Sequence, residues 1–355
     1  VPGSVTAHLN AIGTATPRHD IHRAFVDWAA PRLEPRTGKI FRRMVERAEI
    51  DHRWSVLPEA PGGGSPVSPG GFYADAILPP TSARMALYAH AAPALALEAI
   101  ANLGEAFDLS RITHLVVASC TGFVAPGIDQ IIARRLGLSG SVERLLIGFM
   151  GCYAAVNALR SARHIVRSEP DSRVLVVTVE LSTLHLQDER QIEPLLAMLQ
   201  FGDGAAAAIV SADAKGLAIG EGFAATLPDS DALIRWDVGD TGFAMHLSGE
   251  VPGRIGLALA DPAIRDALTR GADIRYWAVH AGGRSILDAV EHGLGLSADA
   301  LAESRSVLRE SGNMSSATLM FVLARLIGKG VEGPGVALAF GPGLAAEGFR
   351  FGPAA

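Results

Sequence analysis

The chain has 355 residues, 49% of them hydrophobic and 19% charged, with a formal net charge of −6. That length can bury a large core and allows two or three domains, whereas the acidic balance gives no basis for nucleic-acid binding. No apolar run reaches the ~18 residues of a membrane span, no cysteine–histidine cluster has metal-ligand spacing, and two cysteines are too few for a disulfide framework.

Cys120 and Cys152 therefore read as reduced thiols of a cytoplasmic protein. The opening VPGSVTAHLNAIG has no basic region followed by an apolar stretch, so it does not read as a signal peptide. The first strand is expected within SVTAHLNAIGTATP, followed by a helical stretch over 22–47 that breaks near Pro31 and Pro35. Residues 57–81 are rich in Pro, Gly and Ser and read as a surface excursion. Thr81 is expected to cap the alanine-rich helix that follows, and Pro93 to kink or divide that helix.

HLVVAS, RLLIGFM, RVLVVTV, AAAAIVS, YWAVH and GVALAF are short continuous apolar runs. Such runs predict strands buried on both faces, and their alternation with helical segments predicts parallel-rich sheets covered by helices. Residues 222–261 are less regular and read as an antiparallel excursion over the site.

The pattern repeats. ITHLVVASCTG precedes the GFMGCYAAVNAL segment, and RYWAVHAGG precedes ESGNMSSATLMF. Cys120 and His280 occupy matching slots 160 residues apart, and Cys152 and Asn313 matching slots 161 apart. One unit is thus written twice, with a nucleophile-bearing half over 1–215 and a half carrying His280 and Asn313 over 216–355. Two such units packed face to face predict a duplicated five-layered α/β/α/β/α fold.

Cys152 is expected at a helix start, where free N–H groups and the helix dipole favour a thiolate, and an imidazolium from His280 would favour it further. A lone cysteine is more often a buried, inert thiol, but Gly151 and the paired half argue for the reactive reading. His280 ends a buried strand, and Gly282 and Gly283 behind it allow substrate close to the backbone; it also reads as a satisfied core histidine. Asn313 reads either as a helix cap or as a fixed amide donor for an enolate oxygen. Arg43 and Arg47 share one helix face, which suits either a solvated basic face or a phosphate contact.

With GCYAA, VHAGG, GNMSSA, FGDGAAA and AFGPG in this order, the sequence resembles the type III polyketide synthases, the chalcone synthase-like branch of the thiolase fold. The resemblance implies a homodimer that condenses malonyl-CoA onto an acyl-CoA starter through a thioester on Cys152. No metal or redox cofactor is implied, and His280 and Asn313 would serve decarboxylation. Cyclisation would then give a resorcinol-, phloroglucinol- or pyrone-type product. By the same resemblance Cys120, Ser182, His185, Phe201, Met245 and Ser315 meet substrate, with Phe201 and Met245 as gatekeepers. Ala125 matches a residue that crosses the dimer interface. Arg43, Arg47 and Gly283 would meet CoA; a further family lysine position is held by Ile40, beside Lys39. Three other readings compete: an initiating ketoacyl-ACP synthase, a papain-like cysteine hydrolase, and a catalytically silent acyl-CoA-binding protein.

Overall fold

The computed structural model describes residues 5–354, so Ser4 of the expected first strand lies outside it. The first half runs through β1 (His8–Ala15), β2 (His19–Asp20), α1 (His22–Ala29), α2 (Pro35–Ala48), β3 (Trp54–Ser55) and α3 (Thr81–Ala101). It continues through β4 (His114–Ser119), α4 (Ile128–Leu136), β5 (Glu143–Gly148), α5 (Ala154–Ser168), β6 (Val174–Leu181), α6 (Ile192–Gln200) and β7 (Asp203–Ser211). The second half has β8 (Leu217–Thr226), the hairpin β9 (Ile234–Gly239) and β10 (Gly242–Leu247), α7 (Val251–Ala260), α8 (Pro262–Thr269) and β11 (Tyr276–Val279). It closes with α9 (Arg284–Leu294), α10 (Ala302–Ser311), α11 (Ser316–Lys329), β12 (Gly335–Gly341) and β13 (Ala345–Pro353).

The duplication is visible in the strand order. The first half reads β5-β4-β6-β7-β1 and the second β11-β12-β13-β8. In both, the strand before the central helix is parallel to the strand after it, and the next two neighbours are antiparallel. The second half lacks a counterpart of β5, since α10 leads straight into Gly312. The two units are one continuous nine-stranded sheet, joined where His8 and Leu9 of β1 pair with Ala218 and Leu217 of β8. Helices α5 and α11 lie between the two units: α5 packs on β4, β6, β7 and β13, and α11 on β1, β6, β7, β11 and β12. With α3 and α4 outside one half and α7–α10 outside the other, the five layers are present.

Four local expectations are corrected. The sheet is mixed rather than parallel-rich, because α6 and the tight Pro342–Leu344 turn return the chain antiparallel into β7 and β13. Helix cover on both faces makes strands apolar throughout, whatever their sense. The RLLIGFM strand is an exposed edge and not a buried core strand: Leu145 and Leu146 are each 44% exposed. Thr81 does not cap α3. Its hydroxyl donates to the Gly239 carbonyl and accepts from the Gly242 N–H, so it clamps the β9–β10 hairpin. Pro93 does not divide α3, which runs unbroken. The antiparallel excursion expected over 222–261 is present as that hairpin.

Candidate active site

The chain leaves β5 through Phe149 (φ 53°) and Gly151 (φ 76°), then turns through a short 3-10 segment into α5. A Cβ on Gly151 would sit 2.2 Å from Cδ of Pro342, in the turn between β12 and β13. Only glycine fits both that backbone and that approach. The turn presents Cys152, which is buried and lines one chamber with Ser315.

Burial pushes the Cys152 thiol up to about 12; the Ser315 side chain opposes this, the buried Glu180 adds to it, and Asn313 opposes it. The expected helix-start thiolate is therefore not held here, because desolvation outweighs the turn's N–H groups.

His280 follows β11, and its N–H donates to the Leu338 carbonyl at 2.8 Å. The ring is 1% exposed, and neither ring nitrogen has a partner among the described residues. Burial alone pushes the imidazole down to about 3, so it is neutral and supplies no imidazolium to the thiol. Among the described residues no hydrogen bond joins His280 to Cys152 directly. An orphaned, buried imidazole is costly unless something else meets it, which separates it from a satisfied core histidine.

Gly312 (φ 66°) crosses the end of α6 so closely that a Cβ would meet the Gln200 carbonyl at 2.8 Å. The Asn313 N–H donates to that carbonyl at 2.7 Å, and its own carbonyl accepts from Gly202, bracketing Phe201. Its side-chain oxygen accepts from the Ser315 N–H at 2.8 Å, and its Nδ2 donates to the Gly282 carbonyl at 3.2 Å. So the amide ties the turn before α11 to the loop behind His280.

Cys120, Ser182, Phe201, Met245 and Ser315 line the chamber around the thiol. His185 does not; it lines a larger adjoining cavity, together with Ser182, Phe201 and Met245. Ala125 is exposed and lines neither cavity. Arg43 and Arg47 are exposed on α2, as are Lys39 and Ile40. Arg284 donates to the Arg47 carbonyl at 3.2 Å and pairs with Glu49, which brings the end of α2 beside Gly283 at the start of α9. The basic face and Gly283 thus share one edge, outside the thiol chamber.

Sequence reasoning missed three residues. Glu180 is fully buried and accepts from the Cys120 N–H and the Thr121 hydroxyl, each at 2.9 Å, and from the Ser316 hydroxyl at 2.5 Å. Its signal was an acid at the end of the apolar run VLVVTV. Thr121 is the second; its hydroxyl also accepts from the Leu181 N–H, which ties the loop after β4 to β6. Trp236 is the third: it lines both cavities and donates to the Cys120 carbonyl at 3.1 Å. Among the described residues no three His, Cys, Asp or Glu side chains group as a metal site, and no helix is long and apolar enough to cross a membrane.

Family models for the chalcone and stilbene synthases match the chain over residues 3–214, for the N-terminal domain, and 221–352, for the C-terminal domain. The chain is 35% identical over 280 residues to the alpha-pyrone synthesis polyketide synthase-like Pks18 of Mycobacterium tuberculosis and Mycobacterium bovis, covering 74% of this chain and 71% of the relative. It superposes on PKS-I of the brown alga Ectocarpus siliculosus with a TM-score of 0.88, at 29% identity and 99% coverage of each chain. The C-terminal type III polyketide synthase domain of Steely1, a type I/III hybrid from Dictyostelium, gives 0.89 at 24% identity, covering 99% of this chain and all of that one, a likeness of fold.

Proposed function

Since the chain belongs to the chalcone and stilbene synthase family of type III polyketide synthases, acyltransferases that catalyse decarboxylating condensation, we propose that Cys152, His280 and Asn313 are its catalytic residues. The observation that carries this is Asn313, whose side chain favours the thiolate of Cys152 while its Nδ2 donates to the Gly282 carbonyl behind His280. Family membership sets aside the hydrolase and ketoacyl-ACP synthase readings. The silent-binder reading has no use for a buried imidazole without partners.

The lone pair of His280 takes the thiol proton as Cys152 sulfur attacks the acyl-CoA carbonyl, and protonated CoA thiol leaves. Malonyl-CoA then loses carbon dioxide, and the N–H groups of His280 and Asn313 stabilise the enolate oxygen. The enolate carbon attacks the thioester and expels the Cys152 thiolate. The lengthened CoA ester reloads Cys152 for the next round. Nothing in these steps consumes a redox cofactor or needs a metal; acyl-CoA and malonyl-CoA are substrates. Arg43, Arg47 and Gly283 would hold CoA at the shared edge. The alpha-pyrone synthesis named for Pks18 supports a pyrone-type ring closure. Incubation with malonyl-CoA and a panel of acyl-CoA starters, read by product mass, tests the reading; no carbon dioxide release with any starter would overturn it.

We propose the same division of labour between 1–215 and 216–355 as expected from the repeat, in a cytoplasmic homodimer. The exposed side chains of Leu145, Leu146, Phe149 and Phe123 support the dimer. They form an apolar edge beside Cys152 that a second copy would cover. Sedimentation at micromolar concentration should give twice the monomer mass, and Leu146→Glu should shift it to monomer.

Met245 and Phe201 both line the thiol chamber, and methionine leaves that gate flexible. Met245→Phe should lower kcat/KM for long or bulky starters more than for short ones and shorten the product. The shift should be on the order of 10–100-fold, since a methylene-sized change in a pocket is worth ~1–3 kcal/mol. Unchanged starter preference and product length would remove Met245 from the gate.

A further inference from the structure

Helix α2 carries five cations, Arg36, Lys39, Arg42, Arg43 and Arg47, against one acid, Glu46. Its formal charge is +4 in a chain at −6, which leaves −10 for everything else. All five cations are exposed. The CoA contacts proposed above account for Arg43 and Arg47 alone. They leave Arg36 without a part, and also Ile40 and Met44, which are 44% and 41% exposed on the same helix.

The spacing joins these side chains. Steps of about 100° per residue put Arg36, Ile40, Arg43, Met44 and Arg47 within an arc of about 100°. The same steps turn Gly38, Phe41 and Ala48 toward the protein, where they are buried. Arg42 lies off the stripe and pairs with Asp27 at 4.0 Å. Glu46 lies about 120° from Ile40, so the acid is off the stripe too. Among the described residues Arg36, Arg43 and Arg47 make no side-chain ion pair, and Arg47 is met only at its carbonyl, by Arg284. The stripe runs about 16 Å along the helix axis.

Three uncommitted guanidiniums around two exposed apolar side chains suit an occupant that is both anionic and apolar. No residue of α2 lines either cavity described above, so the stripe is a ridge and not a groove. A peptide helix needs a groove for its apolar face. A bilayer takes a ridge: headgroup phosphates meet the guanidiniums, and the apolar side chains between them reach the acyl boundary. Charges act over only about 8 Å at physiological ionic strength, so the stripe is felt locally, and the acidic remainder disfavours other orientations on an anionic surface.

We propose that the outer stripe of α2 is a docking surface for a bilayer rich in anionic phospholipid, held by Arg36, Arg43 and Arg47 and by shallow insertion of Ile40 and Met44. The contact is peripheral and reversible. It puts the edge that α2 shares with Gly283 at the lipid surface. The proposal depends neither on Cys152 as the acyl carrier nor on Arg43 and Arg47 as CoA contacts.

The test is sedimentation of the full chain with vesicles of phosphatidylcholine alone, and of phosphatidylcholine with about 40% phosphatidylglycerol, at about 0.1 M salt. The protein should pellet with the anionic vesicles and stay in solution with the neutral ones, and about 0.5 M salt should release it. Arg36→Gln leaves the proposed CoA contacts in place. It should weaken the partition about fivefold, the worth of one basic side chain at such a surface, while condensation in lipid-free buffer stays within twofold of wild type. Ile40→Ser combined with Met44→Ser changes no charge and should weaken the partition at least tenfold. Leu257→Ser, at a position 75% exposed on α7, should leave it unchanged. Equal binding to both kinds of vesicle, or none to either, would overturn the proposal. So would full binding by the double serine variant, which would reduce the stripe to charge alone. An equal loss in Leu257→Ser would move the docking surface away from α2. Binding of an acidic acyl carrier protein with no binding of vesicles would make α2 a protein dock and overturn the bilayer.

Discussion

Cys152→Ala is expected to abolish acyl transfer, a loss on the order of 10³-fold or more, because it removes the only atom on which the thioester can form in the proposed mechanism. In the wild-type protein, acyl-CoA should leave its adduct on the Cys152 peptide and none on Cys120. The two thiols are close enough to compete, so the difference needs a cause. Cys120 has its sulfur occupied by Gly151, whose N–H donates to it at 3.0 Å and whose carbonyl accepts at 3.6 Å. Burial and then the Glu180 carboxylate push its thiol well above the usual range. Cys152 is also raised, to about 12, but Ser315 and Asn313 both favour its thiolate. Mapping after incubation with acyl-CoA decides the matter, and label on Cys120 alone would sink the assignment. The same map read after iodoacetamide, without substrate, carries a pH signature. A thiol at about 12 beside an imidazole at about 3 is neutral at pH 7, and its thiolate fraction rises tenfold per unit until the thiol titrates. Alkylation of Cys152 should therefore climb through pH 7–10 without a plateau. A plateau near neutrality would mean that a thiolate–imidazolium pair is already formed.

The repeat was legible because two physical signals coincide. Strands covered by helices on both faces are apolar at every position, and in both halves a glycine stands directly before one polar residue at the mouth of a helix. That is enough to place Cys152 and Asn313 at matching ends of α5 and α11. Strand sense is not written in the same signal. The AAAAIVS strand is buried on both faces and yet antiparallel to both neighbours. Exposure is not written in it either: RLLIGFM has the composition of a core strand and lies on an edge, with Leu145 and Leu146 outward. The titration states were also beyond local reading. A helix start predicts a lowered thiol, but the depth at which Cys152, His280 and Glu180 are sealed together is a tertiary property, and desolvation decides. Trp236 escaped notice for a related reason. Within IRWDVG it is an ordinary strand residue, and only the folding of the hairpin over Cys120 makes it a wall.

Asn313→Ala should divide the reaction into its parts. The substitution removes one of the two donors proposed for the enolate and should slow malonyl-CoA decarboxylation by roughly 10²–10³-fold, the usual cost of one preorganised donor. Acylation should fall less, because the thiol keeps Ser315 and the His280 lone pair. The competing reading is a structural one. Asn313 accepts from the Ser315 N–H just before α11 and donates to Gly282, so its loss could act by loosening the turn. The magnitudes separate the two. Two neutral hydrogen bonds are worth about 1 kcal/mol each, which lowers Tm by only several degrees in a protein of this size and does not by itself favour one chemical step over another. Asn313→Asp makes the contrast sharper. It keeps the shape and the acceptor for Ser315, but its carboxylate replaces a donor with negative charge in a buried site next to the thiol. A structural asparagine would there lose its bond to the Gly282 carbonyl and bury an unpaired charge, so both steps would fall together with Tm. An asparagine that stabilises an enolate would instead lose decarboxylation in both variants. Carbon dioxide release from malonyl-CoA and single-turnover acylation by a starter acyl-CoA, measured side by side, give the answer. Equal losses in both steps, tracking Tm, would make Asn313 a scaffold residue and return the donor's part to His280 alone.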